Sequence, residues 1–285
     1  MRQTIYFLFL LLLAGLDTLQ AQVIYTAADS VIYNKYINQL SKNSDRPINE
    51  IVIETAKFFL GKPYVGHTLE NNEKEQLVVS LKEFDCTTFV ETCIALSRVV
   101  KSDDYSFDNY IRNLINLRYR NGEINGYSSR LHYVSDWKYE NEQDSVLTDI
   151  TKQIGGELVY KPLNFMSTHS QSYQILKSNP GEIAKITSIE SIINQRNNYY
   201  IIPTDFIASI ENEIKDGDII AFATSIEGLD YSHIGIAYHV GNKLQFIHAS
   251  STARKVVIQS NSLQEYCKTI RSNSGISVFR LNELN

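Results

Sequence analysis

The stretch "SHIGIAYHVGNKLQFIHAS", residues 232–250, constrains this chain more than any other. Two alternating apolar runs flank Gly241-Asn242, a dipeptide suited to a two-residue hairpin turn. With those two residues as the loop, antiparallel pairing sets Val240 against Lys243, Gly235 against His248, and His233 against Ser250. His233 and His248 then share a face as diagonal neighbours, and Gly235 puts no side chain between them. A three-residue loop would send His248 to the opposite face. The other face, Ile234, Ile236, Tyr238 and Val240, is apolar and is expected to pack inward on helices. His239 shares the face of His233 farther along and reads as a surface residue.

Three more strands accompany the hairpin: "IKDGDIIAFAT" (214–224), "RKVVIQS" (254–260) and "GISVFRL" (275–281). Before residue 214 the period is helical. Helices are expected over 29–42, over 48–60 with Gly61 as the stop, from Cys86 onward, and over 104–120. Residues 74–82 form a short apolar segment, and the mixed middle offers helical candidates at 142–153, 170–178 and 188–197. Helices first and strands later indicate an α+β domain. No repeat or low-complexity linker marks a boundary. The reading is therefore one domain over 22–285, with a large insertion at about 101–213 between the Cys86 helix and the sheet.

A net charge of −5 supplies no basic field for nucleic acid or an anionic membrane surface. The N-terminus "MRQTIYFLFLLLLAGLDTLQAQ" has a basic Arg2, an apolar run over 5–15 and a small residue at Ala21, the pattern of a signal peptide over 1–21. That run is shorter than the roughly 20 residues a bilayer span needs. No cysteine lies near the cleavage point to carry a lipid. The expectation is an exported, soluble protein, periplasmic in a cell with two membranes.

Three cysteines are present, Cys86, Cys93 and Cys267. An odd number leaves at least one thiol free in an oxidising compartment. Seven residues along one helix separate the Cα atoms of Cys86 and Cys93 by ~10 Å, beyond disulfide reach. Cys93 and Cys267 are either a bridge or two buried thiols. In "EFDCTTFVE" (83–91), Cys86 stands where a helix begins, and the positive end of the helix dipole favours a thiolate there. Packed against the histidine face, it would find a base in His233, oriented by His248 accepting its other N–H. Two plainer readings stand beside this one. Cys86 is a packing residue, or Thr88 and Glu91 form a capping box that leaves Cys86 just outside the helix. His67, His132 and His169 are scattered and show no metal-ligand spacing, so neither a metal nor a cofactor is expected.

"GKPY" (61–64), "DCTTFV" (85–90), "DGDIIAF" (216–222), "SHIGIA" (232–237) and "FIHAS" (246–250) together resemble, in order, the NlpC-type branch of the papain-like cysteine peptidases, which act on bacterial cell-wall peptides. The resemblance implies a papain-like fold with the Cys86 helix packed on the antiparallel sheet. It also implies Cys86 as nucleophile, His233 as general base and His248 as its orienting partner. The Cys-to-His interval, 86 to 233, is more than twice that of a minimal member. With "YVGHTLE", "SRLHYVSDW", "NFMSTHSQSY" and "GLDYSHIGIA", this long interval is similar to the N-acetylmuramoyl-L-alanine amidase-like family within that branch. The likeness implies cleavage of the amide between the muramic acid lactyl group and L-alanine. The substrates would be small soluble muropeptides, anhydro forms among them, and the enzyme a monomer.

The commoner activity of the branch cuts the D-glutamyl–diamino acid bond of a stem peptide. There an aspartate beside the nucleophile and a tyrosine in Gly-x-Pro-Tyr hold the free L-alanine amine. Asp85 and Tyr64 occupy those positions, although an N-cap carboxylate and a core tyrosine explain them as well. Arg130 and Asp230 join Tyr64 and Asp85 as substrate-binding candidates, and His132, Trp137 and His169 fall at family-like positions in the insertion. A wall-binding module without catalysis and a zinc amidase are the rival readings. A free thiol with two histidines argues against the first, and chelator sensitivity would separate the second.

Overall fold

The computed structural model describes residues 23–70, 72 and 74–284; the expected signal peptide lies outside the described residues. The first described elements are a short strand β1 (Val23–Ile24) and two helices, α1 (Ala27–Leu40) and α2 (Ile48–Phe58). The apolar segment at 74–82 contains β2 (Leu77–Val78), which pairs in parallel with β1. Next come α3 (Cys86–Lys101), α4 (Phe107–Arg118) and α5 (Val134–Gln143). β3 (Leu147–Asp149), β4 (Glu157–Leu158), α6 (Phe165–Thr168), α7 (Pro180–Gln195) and β5 (Tyr200–Pro203) complete the middle of the chain. The C-terminal third holds β6 (Ile219–Thr224), β7 (Tyr231–Val240), β8 (Lys243–Ser250), β9 (Lys255–Ile258), α8 (Leu263–Thr269) and β10 (Asn273–Leu281).

The main sheet runs β4-β5-β10-β6-β7-β8-β9, with β3 pairing β10 beyond β5. Its strands pair antiparallel throughout the described residues. The hairpin has the register its turn demands: Val240 opposes Lys243 and the ladder continues to Ile236 against Ile247. On the next pair, His248 opposes Val257.

Helix α3 is central because it is apolar nearly all round. Phe89, Val90, Cys93, Ile94, Leu96, Val99 and Val100 are all buried. It packs between α2, α4 and the sheet face made by Ala221, Ile234, Ile236, Ile247 and Ala249. On the opposite face, Phe222, Ala237, Leu244, Phe246, Ile276 and Val278 pack on Ile207, Ile214, Leu263 and Cys267. The sheet is thus covered on both sides, which explains its near-continuous apolar strands. A third cluster, around Tyr127, Tyr133, Met166, Leu176, Ile186 and Ile193, holds the middle of the chain together.

Several expectations need correction. Val240 is 46% exposed, because β7 outruns the helices there, whereas Ile234 and Ile236 are buried as expected. The candidate helix 142–153 is not one: Leu147–Asp149 pairs with β10, so sheet pairing overrides its helical pattern. Residues 170–178 make only a 3-10 turn at Ser170–Ser172. The helix expected at 188–197 runs from Pro180 to Gln195, started by Pro at its first turn and by the Asn179 side chain capping Glu182 N. Helix α5 had no counterpart in the sequence reading. Within 101–213, α4 packs on α3, and both β3 and β5 join β10. Cys93 and Cys267 are buried free thiols in clusters on opposite sheet faces.

Candidate active site

Asp85 fixes where α3 starts. Its Oδ1 accepts hydrogen bonds from Thr88 N and Thr88 Oγ1, both at 2.8 Å, and its own N–H donates to Thr88 Oγ1 at 3.0 Å. Asp85 is therefore the N-cap and Cys86 the first residue of the helix. The alternative Thr88–Glu91 capping box does not form. Glu91 turns inward instead, and Arg118 Nε donates to its Oε2 at 2.7 Å with both side chains buried.

The histidines meet as the register requires. His233 Nε2 lies 2.7 Å from His248 Nδ1. This frees His233 Nδ1 for a thiol. His233 lines up opposite Phe222, and a bulge at Ser232 precedes it on β7. Gly235 is needed beside them: a Cβ there would come within 2.8 Å of the Phe246 ring and 3.2 Å of His248 Cβ.

The Ile234 face packs on the helices as expected, but the start of helix α3 lies there too and not against the histidine face. Cys86 reaches the strand where the β7–β8 ladder has ended at Ile236. The sulfur lies 4.0 Å from Thr87 Oγ1, and the backbone amides of Thr87 and of Ile234, next to His233, favour its thiolate. Among the described residues no imidazole hydrogen-bonds Cys86. Tyr266 on α8 approaches from the other side, its ring 6.3 Å from that of His233 and 5.7 Å from that of His248.

Burial pushes the Cys86 thiol up to about 12, with the Asp85 carboxylate adding to it; the Thr87 hydroxyl and the two amides oppose the rise. The expected lowering by the helix N-terminus is thus outweighed by desolvation. Burial, then His248, lowers His233 to about 3. Burial lowers His248 to about 4, with the Gln259 side chain pulling the other way. These shifts favour a neutral thiol and neutral imidazoles over an ion pair.

Cys86 opens into a cavity of about 270 Å³ whose wall includes Tyr64, His67, Glu70, Asp85, Arg130 and His132. Among the described residues, only Oδ1 of the Asp85 carboxylate is hydrogen-bonded. Arg130 is 6% exposed; its Nη2 donates to Glu70 Oε1 at 2.7 Å, and Nε is 3.4 Å from Glu75 Oε1. His132 Nε2 donates to Tyr127 O at 2.9 Å, and burial followed by Arg130 lowers it to about 3. His67 has φ 61°, a sparse region for a non-glycine residue.

Three candidates lie elsewhere. Asp230 is a correction: its carboxylate is buried, accepting from Ser135 N and Oγ at 2.8 Å and from Tyr231 N at 2.8 Å, so it braces α5 against β7 and lines no part of this cavity. Trp137 is 3% exposed in the main core. His169 stacks on Phe165, with ring centroids 4.2 Å apart, at the end of α6. The sequence reading passed over Glu70, Glu75 and Arg118 and gave Glu91 only a capping role, because charges scattered over residues 70–130 pair with one another only once the chain packs. Among the described residues no group of three or more His, Cys, Asp or Glu side chains is placed to hold a metal ion.

No curated protein matches the chain. A structure of an N-acetylmuramoyl-L-alanine amidase from Bacteroides uniformis is similar to it at 36% identity and TM-score 0.79, covering 82% of this chain and 99% of that one. A Bacteroides fragilis protein described, provisionally, as a xylanase is similar at 36% identity and TM-score 0.75, covering 80% of this chain and all of that one (100%). A Legionella pneumophila protein at 23% identity and TM-score 0.66 shares the fold, over 94% of this chain and 97% of that one. The AmiA-like family model, described as N-acetylmuramoyl-L-alanine amidase-like, matches residues 54–276. The chain belongs to that AmiA-like family.

Proposed function

We propose that the protein is an exported cysteine amidase of papain-like, NlpC-type fold that cuts the amide between N-acetylmuramic acid and L-alanine in small muropeptides. The observation that carries this reading is the placement of Cys86. It stands first on α3 in the wall of a polar cavity, and the amide that favours its thiolate belongs to Ile234, the residue after His233 of the 2.7 Å His233–His248 pair. Since thiol and imidazole are both neutral at rest, proton transfer accompanies attack. His233 Nδ1 takes the thiol proton as sulfur adds to the lactyl carbonyl, and backbone N–H groups at the helix start hold the oxyanion. Hydrogen bonds that are long in the free enzyme tighten in the substrate complex. The imidazolium then protonates the nitrogen of L-alanine, the C–N bond breaks, and a lactyl thioester remains. Water, deprotonated by His233, releases the muramic acid carboxylate and restores the thiol.

The amidase relatives of similar length and the paired charges of Arg130, Glu70 and Glu75 favour a neutral, polar group such as the sugar in the cavity. An endopeptidase acting on the D-glutamyl–diamino acid bond is the second reading. It is favoured by the Asp85 carboxylate and by Tyr64, which together suit a free amine. Mass spectrometry of products separates the two. The amidase releases intact stem peptide from a disaccharide-peptide and ignores free peptide, whereas products ending in muramoyl-L-Ala-D-Glu overturn it. Cys86→Ala is expected to abolish turnover with folding intact, and His248→Ala to cost less than His233→Ala. Full activity in Cys86→Ala refutes the cysteine mechanism.

A further inference from the structure

His248 is 1% exposed, and its Nε2 is buried without a partner in hydrogen-bond geometry. Its other nitrogen is committed to His233. The β8–β9 register shows what lies beside the unpaired atom. Val257 opposes His248, so Gln259, two residues on, falls on the same sheet face, and its N–H donates to Phe246 O at 2.9 Å. The register therefore carries the Gln259 carboxamide to the His248 side of the sheet, where it favours the protonated ring. The rings of Phe246 and Tyr266 close the remaining approaches, with centroids 4.5 and 5.7 Å from that of His248.

We propose that Gln259 is a positioning residue that sets the direction of the whole proton chain by accepting from His248 Nε2 through Oε1. This rests on the cysteine mechanism above. With Nε2 protonated, His248 Nδ1 is a bare acceptor. His233 must then carry its proton on Nε2, which leaves Nδ1 free to take the proton of Cys86. A carboxamide turned the other way donates to His248 and reverses every bond. His248 would be protonated on Nδ1, His233 on Nδ1 as well, and the base would face the thiol with a hydrogen it must not have. Tautomer choice by a group two bonds away from the base follows from the rule that each ring nitrogen's state is set by what the other one meets.

Two arms test this. Long-range ¹H–¹⁵N correlation at pH 7 reads the histidine tautomers directly, whether or not any muropeptide is cut. His248 protonated on Nε2 and His233 protonated on Nε2 are expected in the wild-type protein. Gln259→Leu, which removes the acceptor, should lose that single tautomer at His248. It should also lower kcat by about 10- to 100-fold at unchanged KM, short of the roughly 10⁴ for a fully wrong tautomer at a catalytic histidine. Gln259→Glu, which keeps an oxygen acceptor, should restore the tautomer and most of kcat. Gln259→Asn, one methylene shorter, replaces the leucine variant if that melts early. Finding His248 protonated on Nδ1, or finding the tautomer unchanged in Gln259→Leu, overturns the proposal. Equal loss in the leucine and glutamate variants overturns the acceptor role. If wild type cuts no muropeptide, the spectroscopic arm decides alone and the functional reading fails separately.

Discussion

Gly235→Ala is the sharpest test of how the hairpin builds the site. The added Cβ would lie 2.8 Å from Phe246 Cδ2, 3.1 Å from Ile247 O and 3.2 Å from His248 Cβ. Carbon pairs are comfortable at about 3.5–4.0 Å, so the Phe246 ring must give way by about 0.7 Å or more. It has little room, because Phe222, Tyr266 and His248 pack on it at centroid distances of 5.0, 4.8 and 4.5 Å. Overpacking of this kind costs about 1–3 kcal/mol. For a chain of this size that is a fall in Tm of about 2–12 °C. Activity should suffer more than stability. His248 is pushed away from His233 across a 2.7 Å bond, and a misplacement of about 1 Å in a catalytic array can cost about 100-fold. The assay pairs thermal melting with kcat on a disaccharide-peptide. A variant with unchanged Tm and kcat would refute the close approach of β7 and β8 at this point. A lower Tm with unchanged kcat would refute the link from Gly235 to His248.

Stability should depend on pH through His132, His233 and His248, whose folded values of about 3, 3 and 4 lie below the 6.5 of free histidine. Their contribution is complete above pH 6.5 and is lost as pH falls toward 3, because the unfolded chain takes up protons that the folded one excludes. The ceiling is about 1.4 kcal/mol per pH unit for each group, reduced at the partly exposed His233. Urea midpoints at pH 7 and 5.5 should differ, His132→Gln should shrink the difference, and a flat profile would contradict these shifts. Asp230→Asn puts an NH₂ where one of two buried N–H donors needs an acceptor, costing about 1–3 kcal/mol in urea unfolding. KM should not move; a large rise in KM at full stability would return Asp230 to the substrate. Glu91→Gln strands the buried Arg118 and should cost about 3–5 kcal/mol, while Glu91→Leu with Arg118→Met costs much less. A loss under about 1 kcal/mol in Glu91→Gln would show that the pair is not desolvated.

The meeting of His233 and His248 was written in the chain. Gly241-Asn242 allows a two-residue turn, that turn fixes the register as far as Ile236 against Ile247, and strict alternation along each strand carries His233 and His248 to one face beyond it. The same locality placed Cys86 at a helix start, although the cap is Asp85 and not Thr88. What depends on packing was out of reach. The ion pairs Glu91–Arg118 and Glu70–Arg130 and the burial of Asp230 each join residues 27 to 95 positions apart. A charge reads the same in sequence whether water or a partner helix surrounds it. Desolvation decided the electrostatics too: by position Cys86 should have a lowered thiol pKa, but the surrounding chain removes the water that would stabilise the thiolate, and its value rises to about 12. Periodicity is a property of neighbours along the chain, whereas burial is a property of neighbours in space, and only the tertiary structure supplies the second.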